Sequence, residues 1–149
     1  MSKIVSCGIA PLRKNGDEIE ILLCKPINGG FYGMGFLKGQ VEPDETELEA
    51  AVREFDEESG GLDVEIFDKN DFFTQNNPKK KIHIWPAKVS HTAKNEKKIE
   101  YDGTVPEHDE ENELIKFYPI SDLPHVFRNQ QKILDEILSF VEAHKEEII

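Results

Sequence analysis

The chain has 149 residues, 38% hydrophobic and 32% charged, with a formal net charge of -12. That length suits a single domain over 1–149 with a core of its own, and that composition excludes an intrinsically disordered chain. The acidic balance excludes a protein that grips long nucleic acid by neutralising phosphates, but not one that meets a small polyanion through metal ions. Cys7 and Cys24 lie far apart in apolar runs and read as buried, reduced thiols. With no disulfide framework, no signal-peptide pattern and no apolar run near membrane-spanning length, the expected location is the cytoplasm, with no membrane partner.

The opening IVSCGIAPL is apolar and β-branched and predicts a strand. A turn at Lys14-Asn15-Gly16-Asp17 leads to a second strand, IEILLCKP over 19–26, and the two predict a hairpin. Residues 29–39, GGFYGMGFLKG, hold five glycines and predict a loop that bends sharply or approaches a ligand. Thr46 with Glu49 three residues on makes a capping box, ELEAAVREFDEES is rich in helix formers, and Gly60-Gly61 stops the helix. Its predicted apolar stripe is Leu48, Ala51, Val52 and Phe55, with Ala50 leaving space between Glu54 and Glu57. LDVEIF and KIHIWPAKV predict strands, QNNPKKK the loop between them, and 91–113 a long polar loop. ELIKFYPI predicts a late strand. Residues 129–144 predict an amphipathic helix with Ile133, Leu134, Ile137, Leu138 and Val141 on one face. The order of elements predicts an α/β sandwich with a mixed sheet.

The central helix carries the chemistry. Glu54, Glu57 and Glu58 stand at i, i+3 and i+4, so their side chains are neighbours, about a third of a turn from the predicted stripe at ~100° per residue. Three crowded carboxylates repel unless a cation lies between them. An oxygen-only donor set suits Mg²⁺, Mn²⁺ or Ca²⁺ rather than zinc.

Residues 39–61, GQVEPDETELEAAVREFDEESGG, resemble the Nudix hydrolase box G-x5-E-x7-R-E-U-x-E-E-x-G-U, where U is a bulky apolar residue. Gly39, Glu45, Arg53, Glu54, Phe55, Glu57, Glu58 and Gly60 all match. The last U is Gly61, with Leu62 one step later, a departure at a packing position. The resemblance implies the Nudix α/β/α sandwich, a loop-helix-loop catalytic box and divalent-metal-dependent hydrolysis of nucleoside diphosphate derivatives, with Mg²⁺ or Mn²⁺ as cofactor. It implies Glu54, Glu57 and Glu58 as metal ligands, with the Gly39 carbonyl a fourth, and a carboxylate of this cluster as proton acceptor. It implies that Arg53 orients Glu57 and that Glu45 supports the helix start. A further base or ligand from a late loop is implied among Glu107, Glu110, Glu111 and Glu113, of which Glu111 best fits the spacing to Phe117-Tyr118.

FLKGQVEP is similar to the start of the box in hydrolases of dinucleoside and inositol polyphosphates, and the late segments are similar to the diadenosine tetraphosphate group. This similarity makes Lys38 a contact for a distal phosphate. Phe31, Tyr32, Phe36 and Tyr118 are candidates for stacking on a base. His83 and Trp85 share one side of their strand, where Trp85 reads chiefly as core and His83 as a satisfied polar residue. Lys79, Lys80 and Lys81 either meet a phosphate chain or form a solvated loop. The leading substrate is a dinucleoside polyphosphate; the alternatives are ADP-ribose or nucleotide sugars, modified triphosphates and RNA 5′ ends. A non-catalytic nucleotide sensor is the reading from another class, and the intact box carboxylates count against it.

Overall fold

The computed structural model describes residues 3–27, 33–92, 95 and 112–149. The first two strands, β1 (Ile4–Asn15) and β2 (Glu18–Pro26), form the predicted hairpin, closed where Asn15 faces Glu18. Gly16 turns the chain with φ of 64°, a left-handed conformation open to glycine at little cost. The hairpin is short. Only Leu12–Asn15 of β1 pair with β2, while Ser6–Ile9 pair with β3 (Leu37–Gln40) on the same edge.

Along its other edge β1 runs parallel to β6 (Lys80–Val89) from Ile4 to Leu12. The outer edge of β6 is shared by β4 (Val64–Ile66) and β5 (Phe73–Asn76), and β2 turns away to pair with β7 (Asn112–Pro119). The described residues thus form a mixed seven-stranded sheet.

Two helices cover it, α1 (Glu47–Ser59) on one face and α2 (Gln131–His144) on the other. Alternation along the strands supplies both cores. Cys7, Ile9, Leu22, Trp85, Ile115 and Phe117 pack under α1 with Ala51, Phe55 and Leu62. Ala10, Leu12, Ile21, Leu23, Ile82 and Ile84 pack under α2 with Ile133, Leu134, Ile137 and Val141. This is the expected α/β/α sandwich. Both cysteines are buried, and neither forms a disulfide. Among the described residues no helix is long and apolar enough to cross a membrane.

Three local expectations are corrected. The stretch QNNPKKK is not a loop: Gln75 and Asn76 end β5, Lys80 and Lys81 begin β6, and a tight turn joins them where the Asn77 N–H donates to the Lys80 carbonyl at 2.8 Å. β5 is a short edge strand with one apolar inward residue, Phe73, so it shows no alternation to read. The closing helix starts at Gln131, after a 3-10 turn over Arg128–Gln130. Finally, α1 is rotated from its predicted face. Val52 is 46% exposed, while Ala50, Ala51, Phe55, Glu58 and Ser59 are buried. Ala50 therefore sits in the core, not between the glutamates. Hydropathy misplaced the stripe because the buried face includes a carboxylate.

β7 holds an irregularity that matters for the site. Cys24 faces Ile115 and Lys25 faces Leu114, but the next pair is Pro26 with Asn112. One extra residue, at position 113, is therefore inserted into β7, which is a β-bulge. Ile115 and Phe117 point toward α1 and Leu114 toward the α2 core. Strict alternation would send Asn112 toward α2. The bulge turns it to the α1 side instead.

Candidate active site

The loop before α1 and the helix itself are locked by short-range chemistry. Thr46 caps the helix: its hydroxyl accepts from the Glu49 N–H at 3.1 Å, and the Glu49 carboxylate accepts from the Thr46 N–H at 2.8 Å. This is the predicted capping box. At the other end Gly60 is left-handed, with φ of 74°. Gly61, where the box has an apolar residue, also has a positive φ of 86°, and Leu62 enters the core in its place.

Gly39 lies against Glu54. A Cβ at Gly39 would stand 2.0 Å from Glu54 Cδ, so the carboxylate occupies space that only glycine leaves. Arg53 binds the same carboxylate from the other side, its Nη1 donating to Glu54 Oε1 at 2.8 Å. Its Nε and Nη2 form a two-pronged pair with Glu45 at 3.0 and 2.6 Å, and Nη2 also donates to the Gln40 carbonyl at 3.1 Å. The Arg53 hydrogen bonds hold Glu45 below the usual carboxylate range, and Glu45, with Glu54, keeps the guanidinium charged. Glu57 stands only at 3.6 Å from Nη1. Arg53 was expected to orient Glu57; its short bonds go to Glu45 and Glu54.

Glu58 is buried, 6% exposed, and its Oε1 accepts from Asn112 Nδ2 at 3.0 Å. Asn112 was not among the sequence candidates. It immediately precedes the predicted strand ELIKFYPI, and only the bulge at 113 brings it to this face. Glu57, with a side chain 61% exposed, completes the trio.

As they stand, no group of three His, Cys, Asp or Glu side chains among the described residues is arranged to hold a metal ion. The donors nevertheless fit a hard divalent cation. All are oxygens, Glu54 fills a cradle left by a missing Cβ, Glu58 is buried on the sheet side of the helix, and Glu57 is the exposed member.

Other sequence candidates are placed elsewhere. Phe36 is 2% exposed in the α2-side core and offers no ring face to a base. Tyr118 packs against the same core and lies six residues along β7 from Asn112, roughly 20 Å at ~3.3 Å per residue, so it is remote from the glutamates. Tyr32 and Phe31, and Glu107, Glu110 and Glu111, lie outside the described residues, as does the side chain of Glu113. Lys38 follows Leu37, which packs under α1, and precedes Gly39, which faces Glu54, so alternation sends its side chain to the opposite sheet face. There it meets Lys80, whose amine is pushed down to about 8 by burial and by the Lys38 charge.

Trp85 and His83 share a side as expected. Trp85 is core, its Nε1 donating to the Lys69 carbonyl at 2.9 Å. His83 Nδ1 hydrogen-bonds the Thr74 hydroxyl at 2.7 Å, and its Nε2 lies 3.3 Å from Glu47 without hydrogen-bond geometry. Burial lowers the His83 pKa, and the Lys81 charge adds to this against an opposing pull from Glu47. Beside it the Cys7 thiol is pushed up to about 12, by burial first and then by Glu47 and Glu45, which leaves it unreactive.

The site thus joins a glycine-bounded acidic helix to an arginine bonded to Glu45 before the helix and to Glu54 within it, on a mixed-sheet sandwich. The chain belongs to the Nudix family: the NUDIX domain model matches residues 3–138, and the protein is a Nudix pyrophosphohydrolase. Enzymes of the family generally use a divalent metal. Solved structures share the fold at low identity. The binary complex of the Caenorhabditis elegans Ap4A hydrolase is 19% identical with a TM-score of 0.64, covering 94% of this chain and 98% of that one. The NUDIX domain of Shewanella oneidensis NrtR, complexed with ADP ribose, is 14% identical with a TM-score of 0.65, covering 94% and 90%. The Escherichia coli ORF135 protein is 21% identical with a TM-score of 0.62, covering 96% and 94%. No curated protein sequence matches the chain.

Proposed function

We propose that the protein hydrolyses dinucleoside polyphosphates at a pyrophosphate linkage, in a reaction that depends on Mg²⁺ or Mn²⁺. The observation that carries this reading is the carboxylate cluster of the box helix, with Glu54 seated against Gly39 and Glu58 buried beside Asn112. Lys38, beside Gly39 in β3 and near Lys80, is the proposed contact for a phosphate chain. A long phosphate chain brings more charge than the two phosphates of a nucleotide sugar. The Ap4A hydrolase fold agrees with this choice, and the NrtR complex with ADP ribose makes that nucleotide the principal competitor.

In this reading Glu54 and Glu58 hold the metal with the Gly39 carbonyl, and Glu57 joins them. The bound ion supplies charge neutralisation at the phosphates and a water of lowered pKa. Glu45 acts through Arg53, fixing the guanidinium that in turn fixes Glu54. Glu57, exposed at the surface of the cluster, accepts the proton of the attacking water. Glu111 remains a proposed second base from the long loop. Lys38 and Lys80 bind phosphates distal to the cut.

Steady-state kinetics with Mg²⁺ on dinucleoside polyphosphates, ADP-ribose, nucleotide sugars and triphosphates tests the substrate. The highest kcat/KM belongs to a dinucleoside polyphosphate, and a higher value for any other class rejects the substrate assignment. Glu58→Gln lowers turnover by orders of magnitude with an intact near-ultraviolet circular dichroism spectrum, because the amide keeps the size of the buried side chain and an acceptor for Asn112 while removing the charge that holds the metal.

A further inference from the structure

We propose that Asn112 is a positioning residue for Glu58, and that the β-bulge at position 113 exists to deliver it. The inference rests on the reading of Glu58 as a metal ligand. Four observations carry it. Asn112 is buried, and its Nδ2 donates to Glu58 Oε1 at 3.0 Å, across 54 residues of sequence. Glu58 is itself buried, on the last turn of α1. The pairing of β7 with β2 skips one residue between Leu114 and Asn112. That skip reverses the face on which Asn112 stands, since Ile115 and Phe117 face α1 while Leu114 faces α2.

The chemistry favours an amide in this place. A buried carboxylate that must stay ionised gains from a neutral N–H donor on one oxygen, which leaves the other oxygen to face a cation. A lysine or arginine there would compete with the cation for the same carboxylate. An apolar residue would take this donor from the carboxylate. Asparagine is short, uncharged and carries the donor at the reach required. The bond also ties the end of the catalytic helix to the sheet strand that directly follows residues 96–111 in the chain.

Mn²⁺ binding to the full chain without substrate, read from the electron paramagnetic resonance signal of the free ion, tests the idea separately from turnover. Asn112→Leu keeps the approximate volume and loses the donor; it weakens Mn²⁺ binding by about 10-fold or more, within the range for loss of a group that orients a ligand. Asn112→Ala makes the same prediction without added bulk, so a misfolded leucine variant does not leave the question open. Asn112→His carries a ring N–H the same number of bonds from the backbone and restores affinity to within about 3-fold of the wild type. Glu58→Gln sets the floor, and adding Asn112→Ala to it produces no further loss, because the two residues act as one unit. Wild-type affinity in Asn112→Leu and Asn112→Ala, while Glu58→Gln has lost it, overturns the positioning role. So does an equal loss in the alanine and histidine variants. Wild-type affinity in Glu58→Gln is a different failure, and rejects Glu58 as a ligand.

Discussion

Gly39 shows how one missing atom shapes the site. Its backbone sits where any side chain would collide with the Glu54 carboxylate, and Arg53 pins that carboxylate from the far side. Gly39→Ala therefore forces Glu54 to move. A misplacement of about 1 Å at a reacting centre costs on the order of 100-fold in rate. Gly39→Ala should lower kcat by about that factor and raise the metal concentration for half-maximal rate, with Mg²⁺ titrated under saturating substrate. Gly16 is the control. Its φ of 64° penalises alanine, but no atom lies within 4 Å of the added Cβ. Gly16→Ala should cost about 1 kcal/mol of stability in urea unfolding and leave kcat unchanged. Equal kcat for Gly39→Ala and wild type would show that Glu54 does not need its present position.

At the scale of elements, α1 was legible in its ends and not in its roll. Thr46, Glu49, Gly60 and the glutamate spacing are local signals, and each is realised in the helix. Which face is buried depends on what lies beneath. The close approach allowed by Ala50 and Ala51, and the burial of Glu58, turned Val52 to solvent. For the same reason Asn112 was invisible: its direction is set by a one-residue skip in pairing with β2, a nonlocal event. Phe36 and Tyr118 read as stacking rings because aromatic type is visible in sequence and depth is not. The rotated face makes a test. Val52→Lys, on the exposed side, should shift the urea midpoint by less than the equivalent of ~0.5 kcal/mol. Ala50→Val forces extra volume into the sheet contact and should cost ~1–3 kcal/mol with an unchanged m value. The predicted stripe would give the reverse order.

At the scale of the whole molecule, stability and function pull on the same lysine. Three groups link folding to pH in separate windows. Glu45 is held below its ordinary 4.5 by Arg53, so its contribution is present above that value and is lost as pH falls through the folded one. His83 is held below 6.5, so the unfolded chain takes up its proton first and stability falls as pH drops below 6.5. Lys80 titrates at about 8 in the fold against an ordinary 10.5. Between those values the unfolded chain binds more protons, so its contribution rises with pH there, and below 8 the folded state bears the full penalty of a crowded, half-buried ammonium. A net charge of -12 offers no compensation at this spot, since neither amine has a carboxylate partner among the described residues. Lys80→Met removes the penalty. It should raise the urea midpoint at pH 7 and raise it less at pH 9.5, where the wild-type amine is already neutral in the fold. If Lys80 binds the phosphate chain, the same variant should raise KM for a dinucleoside polyphosphate by about 10-fold at pH 7, the loss of one charge-assisted contact. A midpoint gain of equal size at both pH values would reject the burial of charge as its cause. An unchanged KM would remove Lys80 from the phosphate site while leaving the stability argument intact.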